Sequence, residues 1–178
     1  DTDFSEAVTL TEGSAGPLTS NTRAAVTGVA AFTGLIYTAI LDGESFTLTA
    51  NDADATGSDL PAVSANPITS DVVATQLVFS QAPAGSVSGQ PLTTQPIVEA
   101  RDADGTVDKD FSETVVLTDS GPGSLSNATQ AASSGIASFS GVTYSGLTDG
   151  ESFVLTADDV AGTGSDLPVV TSGSIASE

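Results

Sequence analysis

The chain repeats itself at a fixed distance. Asp3-Phe4-Ser5-Glu6 returns as Asp110-Phe111-Ser112-Glu113, and Asp42-Gly43-Glu44-Ser45-Phe46 returns as Asp149-Gly150-Glu151-Ser152-Phe153. Thr56-Gly57-Ser58-Asp59-Leu60-Pro61 returns as Thr163-Gly164-Ser165-Asp166-Leu167-Pro168. Each pair lies 107 positions apart without a gap, and about half of the 71 superposable positions are identical. A constant period of domain size predicts tandem modules. Residues 72–107 have no earlier copy, so the first module is expected to lack, at its N-terminal side, a part that the second possesses. The boundaries that follow are a partial module at 1–68 and a complete one at 69–178.

Composition limits what such modules do. Leu, Ile, Val and Phe make up about a quarter of the chain, enough for a small packed core. Cys, Met, Trp and His are absent. No disulfide, thiolate metal site or cysteine nucleophile is therefore available. The commonest general base and the commonest transition-metal ligand are missing as well. These absences argue against an enzyme. Asp and Glu number 23 against three cations, Arg23, Arg101 and Lys109, for a net charge of −20. That charge disfavours nucleic acid and anionic membrane surfaces and favours hard divalent cations. Solubility or adaptation to high salt is the plain alternative. No apolar run is long enough to insert into a membrane.

The second module reads as short alternating segments rich in Thr, Val and aromatic residues, which favours strands over helix. Candidates are residues 73–79, 94–101, 113–118, a weak polar stretch at 124–131, then 136–144, 152–157 and 167–171. Gly, Pro and Asp clusters separate them. About seven short strands in roughly 100 residues is the pattern of an immunoglobulin-like sandwich. The fold class is therefore all-β, as tandem immunoglobulin-like β-sandwich modules. Pro96 and Pro168 are expected at edges or bulges, because proline donates nothing to a central ladder. Phe4/Phe111, Phe32/Phe139, Tyr37/Tyr144 and Phe46/Phe153 recur at the repeat offset and are expected in the core of each module. Phe79 has no earlier partner.

Val98-Glu99-Ala100-Arg101-Asp102-Ala103-Asp104-Gly105 resembles the end of the second strand and its turn in bacterial Ig-like (Big) repeats of the invasin and intimin kind. Gly123-Ser124-Leu125-Ser126-Asn127-Ala128-Thr129 and Gly135-Ile136-Ala137-Ser138-Phe139 resemble a later part of the same repeat. The likeness covers the second module throughout and the first from its third strand onward. It implies a stalk or spacer in a large cell-surface or secreted adhesin, with neighbouring repeats as its partners and no catalytic residue. The heavy acid load at Asp108 and Asp110 departs from the simpler family pattern.

That acid load is the one constellation with chemical potential. Asp102, Asp104, Asp108 and Asp110 share the loop between the second and third strands, at the sandwich end that also carries Asp158, Asp159 and Asp166. Converging carboxylates repel unless a cation or solvent intervenes, and calcium takes six to eight oxygens. The glycine at Gly105 comes too early for an EF-hand loop. A solvated Asp-Gly turn is the alternative to calcium. The preceding module presents Asp42 and Glu44, and Asp71 sits at the junction. The expected metal ligands are thus Asp71, Asp102, Asp104, Asp108 and Asp110, with Asp42 or Glu44 near them, in an intermodule calcium site that stiffens the array. Missing strands in the first module are expected to be made up by further sequence upstream, left as partial disorder, or supplied by donor strands from other copies, as in a filament. The competing class is a module whose loops bind glycan or protein through the acidic end. Asn127-Ala128-Thr129 fits a glycosylation acceptor, but the first module reads Ser20-Asn21-Thr22 there. Lys109 becomes Thr2 in the first module, which argues against a crosslink shared by the array.

Overall fold

The computed structural model describes residues 1–52, 59–160 and 166–178. Residues 56–58 and 163–165 of the third repeated motif lie outside the described residues. The chain is all-β and divides into two units, Asp1–Asp71 and Val72–Glu178, whereas the repeat alone placed the junction at 68/69. Among the described residues no helix is long and apolar enough to cross a membrane.

The second unit is a sandwich of two antiparallel layers. One layer orders Ile136–Ser138, Ile97–Arg101 and Gln76–Gln81. The other orders Thr129–Ala131, Thr114–Asp119, Leu155–Asp159 and Val170–Thr171. Two pairs extend them, Ser124–Ser126 with Thr143–Ser145 and Ser152–Phe153 with Ile175–Ala176. Alternation decides what is buried. Val115 and Leu117 on one strand, and Leu155 and Ala157 on its neighbour, face Leu77, Val98 and Ala100 from the opposite layer. Tyr144 and Phe153 stack with ring centroids 3.9 Å apart at 18°, both fully buried. Gly123 is required beside them, because a Cβ there would meet the Tyr144 phenol at 2.7 Å.

Pro96 immediately precedes Ile97–Arg101, next to a bulge between Ile97 and Val98, and Pro168 precedes Val170–Thr171. Both occupy positions that require no ladder donor. The expected strand at 136–144 is broken in two. Gly141 adopts φ +69°, and the Gln95 side chain stands in for a neighbouring strand. Its Oε1 accepts from Val142 N at 2.7 Å, and its Nε2 donates to Val142 O at 3.3 Å. The weak polar stretch 124–131 also splits, at Asn127 with φ 53°. The short strand Ile175–Ala176 has too little alternation to be read from the sequence.

The first unit carries one full layer, Thr22–Ala24, Ala7–Glu12, Leu48–Asp52 and Val63–Ser64 in order. It adds the pairs Leu18–Thr19 with Ile36–Tyr37 and Ser45–Phe46 with Ile68–Thr69. Tyr37 stacks on Phe46 at 3.9 Å, as Tyr144 does on Phe153. The expected aromatic core is complete in the second unit, where Phe139 and Phe153 are buried and Phe79 and Phe111 pack against them. In the first unit Phe46 is buried, but Phe4, Phe32 and Tyr37 are only half-buried. Among the described residues of the first unit no layer corresponds to the one formed by Gln76–Gln81 and Ile97–Arg101. Val26, Val29 and Val63 accordingly stay 64–70% exposed.

Phe153→Ala is expected to destabilise the second unit by about 3–5 kcal/mol, the usual effect of emptying a well-packed aromatic site. Urea denaturation followed by tyrosine fluorescence measures it, and Phe46→Ala should have the smaller effect because its surroundings are less covered.

Candidate functional site

The acidic turn after Ile97–Arg101 is built by its own carboxylates. Asp102 Oδ1 accepts from Thr106 N at 2.8 Å, while Asp102 N donates to Thr106 O at 3.0 Å. Gly105 supplies the left-handed residue at φ +89°. Asp104 and Asp110 are exposed. Asp108 is buried and accepts three backbone amides: Ala74 N at 2.9 Å on Oδ2, with Asp110 N at 2.9 Å and Phe111 N at 3.0 Å on Oδ1. Its negative charge thereby joins the entering strand of the module to the start of the third. The first unit repeats part of this device, since Asp1 Oδ1 accepts from Asp3 N at 2.9 Å. Asp71 is the exposed last residue of the first unit.

The repeated Asp-Gly-Glu-Ser-Phe motif is a second brace. Glu151 Oε2 accepts from Leu147 N and Thr148 N, each at 3.1 Å, and Oε1 accepts from the Tyr144 hydroxyl at 2.6 Å. The same hydroxyl accepts from Gly123 N at 3.0 Å. The Tyr144 hydrogen bond, followed by the Thr148 and Leu147 amides, holds the Glu151 carboxyl below its ordinary pKa despite partial burial. Burial, then the same bond to Glu151, raises the Tyr144 phenol above its own. In the first unit Glu44 Oε2 accepts from Ile40 N at 3.2 Å and Leu41 N at 3.0 Å. There the Tyr37 hydroxyl pairs with Ser14 Oγ at 2.7 Å instead, and Glu44 Oε1 is left buried without a partner. Asp42 is buried in the same turn.

Of the residues expected to hold calcium, Asp102, Asp108 and Glu44 are engaged in closing turns, whereas Asp71, Asp104 and Asp110 are exposed. Among the described residues, three carboxylates converge elsewhere: Asp158, Asp159 and Asp166 place oxygens within 4.8 Å of one another. Asp159 ends the strand Leu155–Asp159 opposite Val115 and is 5% exposed. Its Oδ1 accepts from Leu167 N at 3.0 Å. Its Oδ2 is buried with no hydrogen-bond partner, and so is Glu113 Oε2 at the start of the adjacent strand. Burial raises the Asp159 pKa, and the charges of Glu113 and Asp166 raise it further. The sequence placed these acids on the right loop; only the pairing of Val115 with Asp159 reveals that one carboxylate is driven inside.

No protein-family profile matches the chain, and no curated protein does. A glycosyl hydrolase family 2 member from Bacteroides cellulosilyticus aligns over 98% of this chain and 22% of its own, with 15% identity and a TM-score of 0.47. The beta-glucuronidase of Parabacteroides merdae aligns over 94% of this chain and 21% of its own, with 15% identity and a TM-score of 0.36. The chain thus spans about a fifth of the length of these structures. At such TM-scores and identities neither fold nor activity follows from the alignments.

Two outcomes are expected from the braces. Asp108→Ala strands the buried Ala74 amide, the Asp110 and Phe111 amides being part-buried and open to water. It is expected to remove about 1–3 kcal/mol from the second unit, the cost of an unsatisfied buried donor, read by urea denaturation. Glu151 has a folded pKa below its unfolded one, so its contribution is present above the ordinary carboxylate range and is lost as pH falls through the folded value. Glu151→Gln should therefore flatten the acid side of the stability–pH curve, as measured by melting between pH 3 and 6, a window set at about the ordinary Glu pKa.

Proposed function

We propose that this chain is a non-catalytic, extracellular segment of immunoglobulin-like modules serving as a stalk or spacer in a large surface adhesin. The observation that carries the reading is one set of pairings recurring 107 positions apart. Val8 opposes Asp52 as Val115 opposes Asp159. Leu18 opposes Tyr37 as Leu125 opposes Tyr144, and Phe46 opposes Ile68 as Phe153 opposes Ile175. A framework retained in this way, while half of the positions vary, suits a part whose job is length rather than recognition. The net charge of −20 supports the same role, because like-charged modules repel and stay soluble. With no His or Cys, the chain also lacks the usual groups for nucleophile activation.

A second reading is favoured by one feature of the first unit. Phe4, Val8, Ala50, Leu60 and Val63 line an open apolar groove. Their counterparts Val115, Ala157 and Leu167 are at most 5% exposed, in the core that Leu77, Val98 and Ala100 help to close. In this reading strands from another copy cover the groove and build a filament.

Small-angle scattering of chains carrying further copies of residues 72–178 tests the spacer. The maximum dimension should grow by a constant increment with each copy, and glycan arrays should stay blank. A particle that does not lengthen with copy number refutes it. Sedimentation across a wide concentration range tests the alternative, which requires association that is lost on Val8→Lys.

A further inference from the structure

We propose that Asp158, Asp159 and Asp166, with Glu113 beside them, bind a hard divalent cation of the calcium type within the second unit. Two observations carry the proposal. The first is the convergence of three carboxylate oxygens within 4.8 Å. The second is the unpartnered, buried Oδ2 of Asp159. The two are separate facts, since acids can cluster in solvent with every oxygen hydrated.

Among the described residues the orphaned oxygen has no hydrogen-bond donor. One donor, Leu167 N, is already used by Oδ1. The charged groups that act on it, Glu113 and Asp166, are both carboxylates, and Glu113 contributes a second buried oxygen without a partner. Two buried, unpaired acceptors in a negative field are expensive to maintain. A cation meets both acceptors and neutralises the neighbouring carboxylates at once.

The donor set selects the class of ion. All ligands are carboxylate oxygens, with no sulfur or nitrogen, which suits calcium and not zinc or copper. Asp166 is exposed and free to adjust, whereas Asp159 is held by strand pairing and by Leu167 N. One anchored and one adaptable carboxylate suit a large ion with flexible coordination better than magnesium, which demands a near-ideal octahedron.

The first unit provides an internal comparison. Asn51, Asp52 and Asp59 stand at the equivalent positions, with Glu6 for Glu113. Both oxygens of Asp52 accept from Leu60 N, at 3.3 Å each, so no oxygen there is orphaned. One acid fewer and no unmet acceptor make the first unit the weaker candidate. The proposal does not depend on the spacer reading, because a module of any function can hold such an ion, and its test involves no measurement of length or adhesion.

The test is calorimetric titration of the whole chain with calcium chloride after chelation, together with thermal melting with and without calcium. A saturable site and a rise in the melting temperature of the second unit are expected. Asp166→Asn, an exposed change that leaves the fold intact, should weaken binding at least about tenfold, in keeping with the dependence of affinity on ligand charge count. Asp159→Asn should abolish the melting shift while leaving the calcium-free chain at least as stable as the parent, because it removes an uncompensated buried charge. Asp104→Asn, on the separate acidic turn, should bind as the parent does. The proposal is overturned by the absence of saturable binding at millimolar calcium. It is equally overturned by unchanged binding in Asp159→Asn or Asp166→Asn, or by binding lost in Asp104→Asn.

Discussion

Covering one face of the Thr114–Asp119 and Leu155–Asp159 pair is the contact on which the second unit depends. Val115, Leu117, Leu155 and Ala157 present a continuous apolar face, and Leu77, Val98 and Ala100 close it. These are mostly medium or small side chains, so the core is thin and gains little from any one of them. The Tyr144–Phe153 stack supplies the bulk that the aliphatic residues do not. The first unit carries the same stack but not the covering layer. Its Val26, Val29 and Val63 are exposed.

The second constraint is electrostatic. A chain with 23 acids and three cations has almost no ion pairing with which to satisfy a carboxylate. It uses the backbone instead. Asp108 gathers three amides, Asp102 closes its turn on Thr106, and Glu151 caps its own turn while holding the Tyr144 hydroxyl. Carboxylates that accept amide hydrogens tolerate burial, and the turns gain fixed geometry. Asp159 has one oxygen satisfied and one left over, as Glu44 has in the first unit, but among the described residues only Asp159 also lies where three carboxylates converge. The incomplete case, not the acidic composition as a whole, is what points to a bound ion.

Much of the fold was legible because it is written in short-range patterns. Period-two alternation marked Thr114–Asp119 and Leu155–Asp159, and Asp-Gly turns marked their ends. Legibility failed where a side chain replaced a strand, as Gln95 does for Val142, and where the strand was as short as Ile175–Ala176. The acids were harder. Asp102, Asp104, Asp108 and Asp110 look equivalent in sequence, yet one is buried under three amides and two are in solvent. Nothing local separates them, because burial is decided by which strand passes overhead.

By itself the sequence determined that the chain is all-β, that its framework recurs at an interval of 107, and that its charged groups are overwhelmingly carboxylates. Those properties follow from periodicity and residue type, which need no partner in space. Tertiary structure alone decided which carboxylates are structural and which remain unsatisfied. Asp158 and Asp159 are adjacent in sequence, but only cross-strand register against Val115 and the return of the chain at Leu167 bury Asp159 with one oxygen unmet. Solvation of a charge depends on everything packed around it, and that surrounding is a property of the fold.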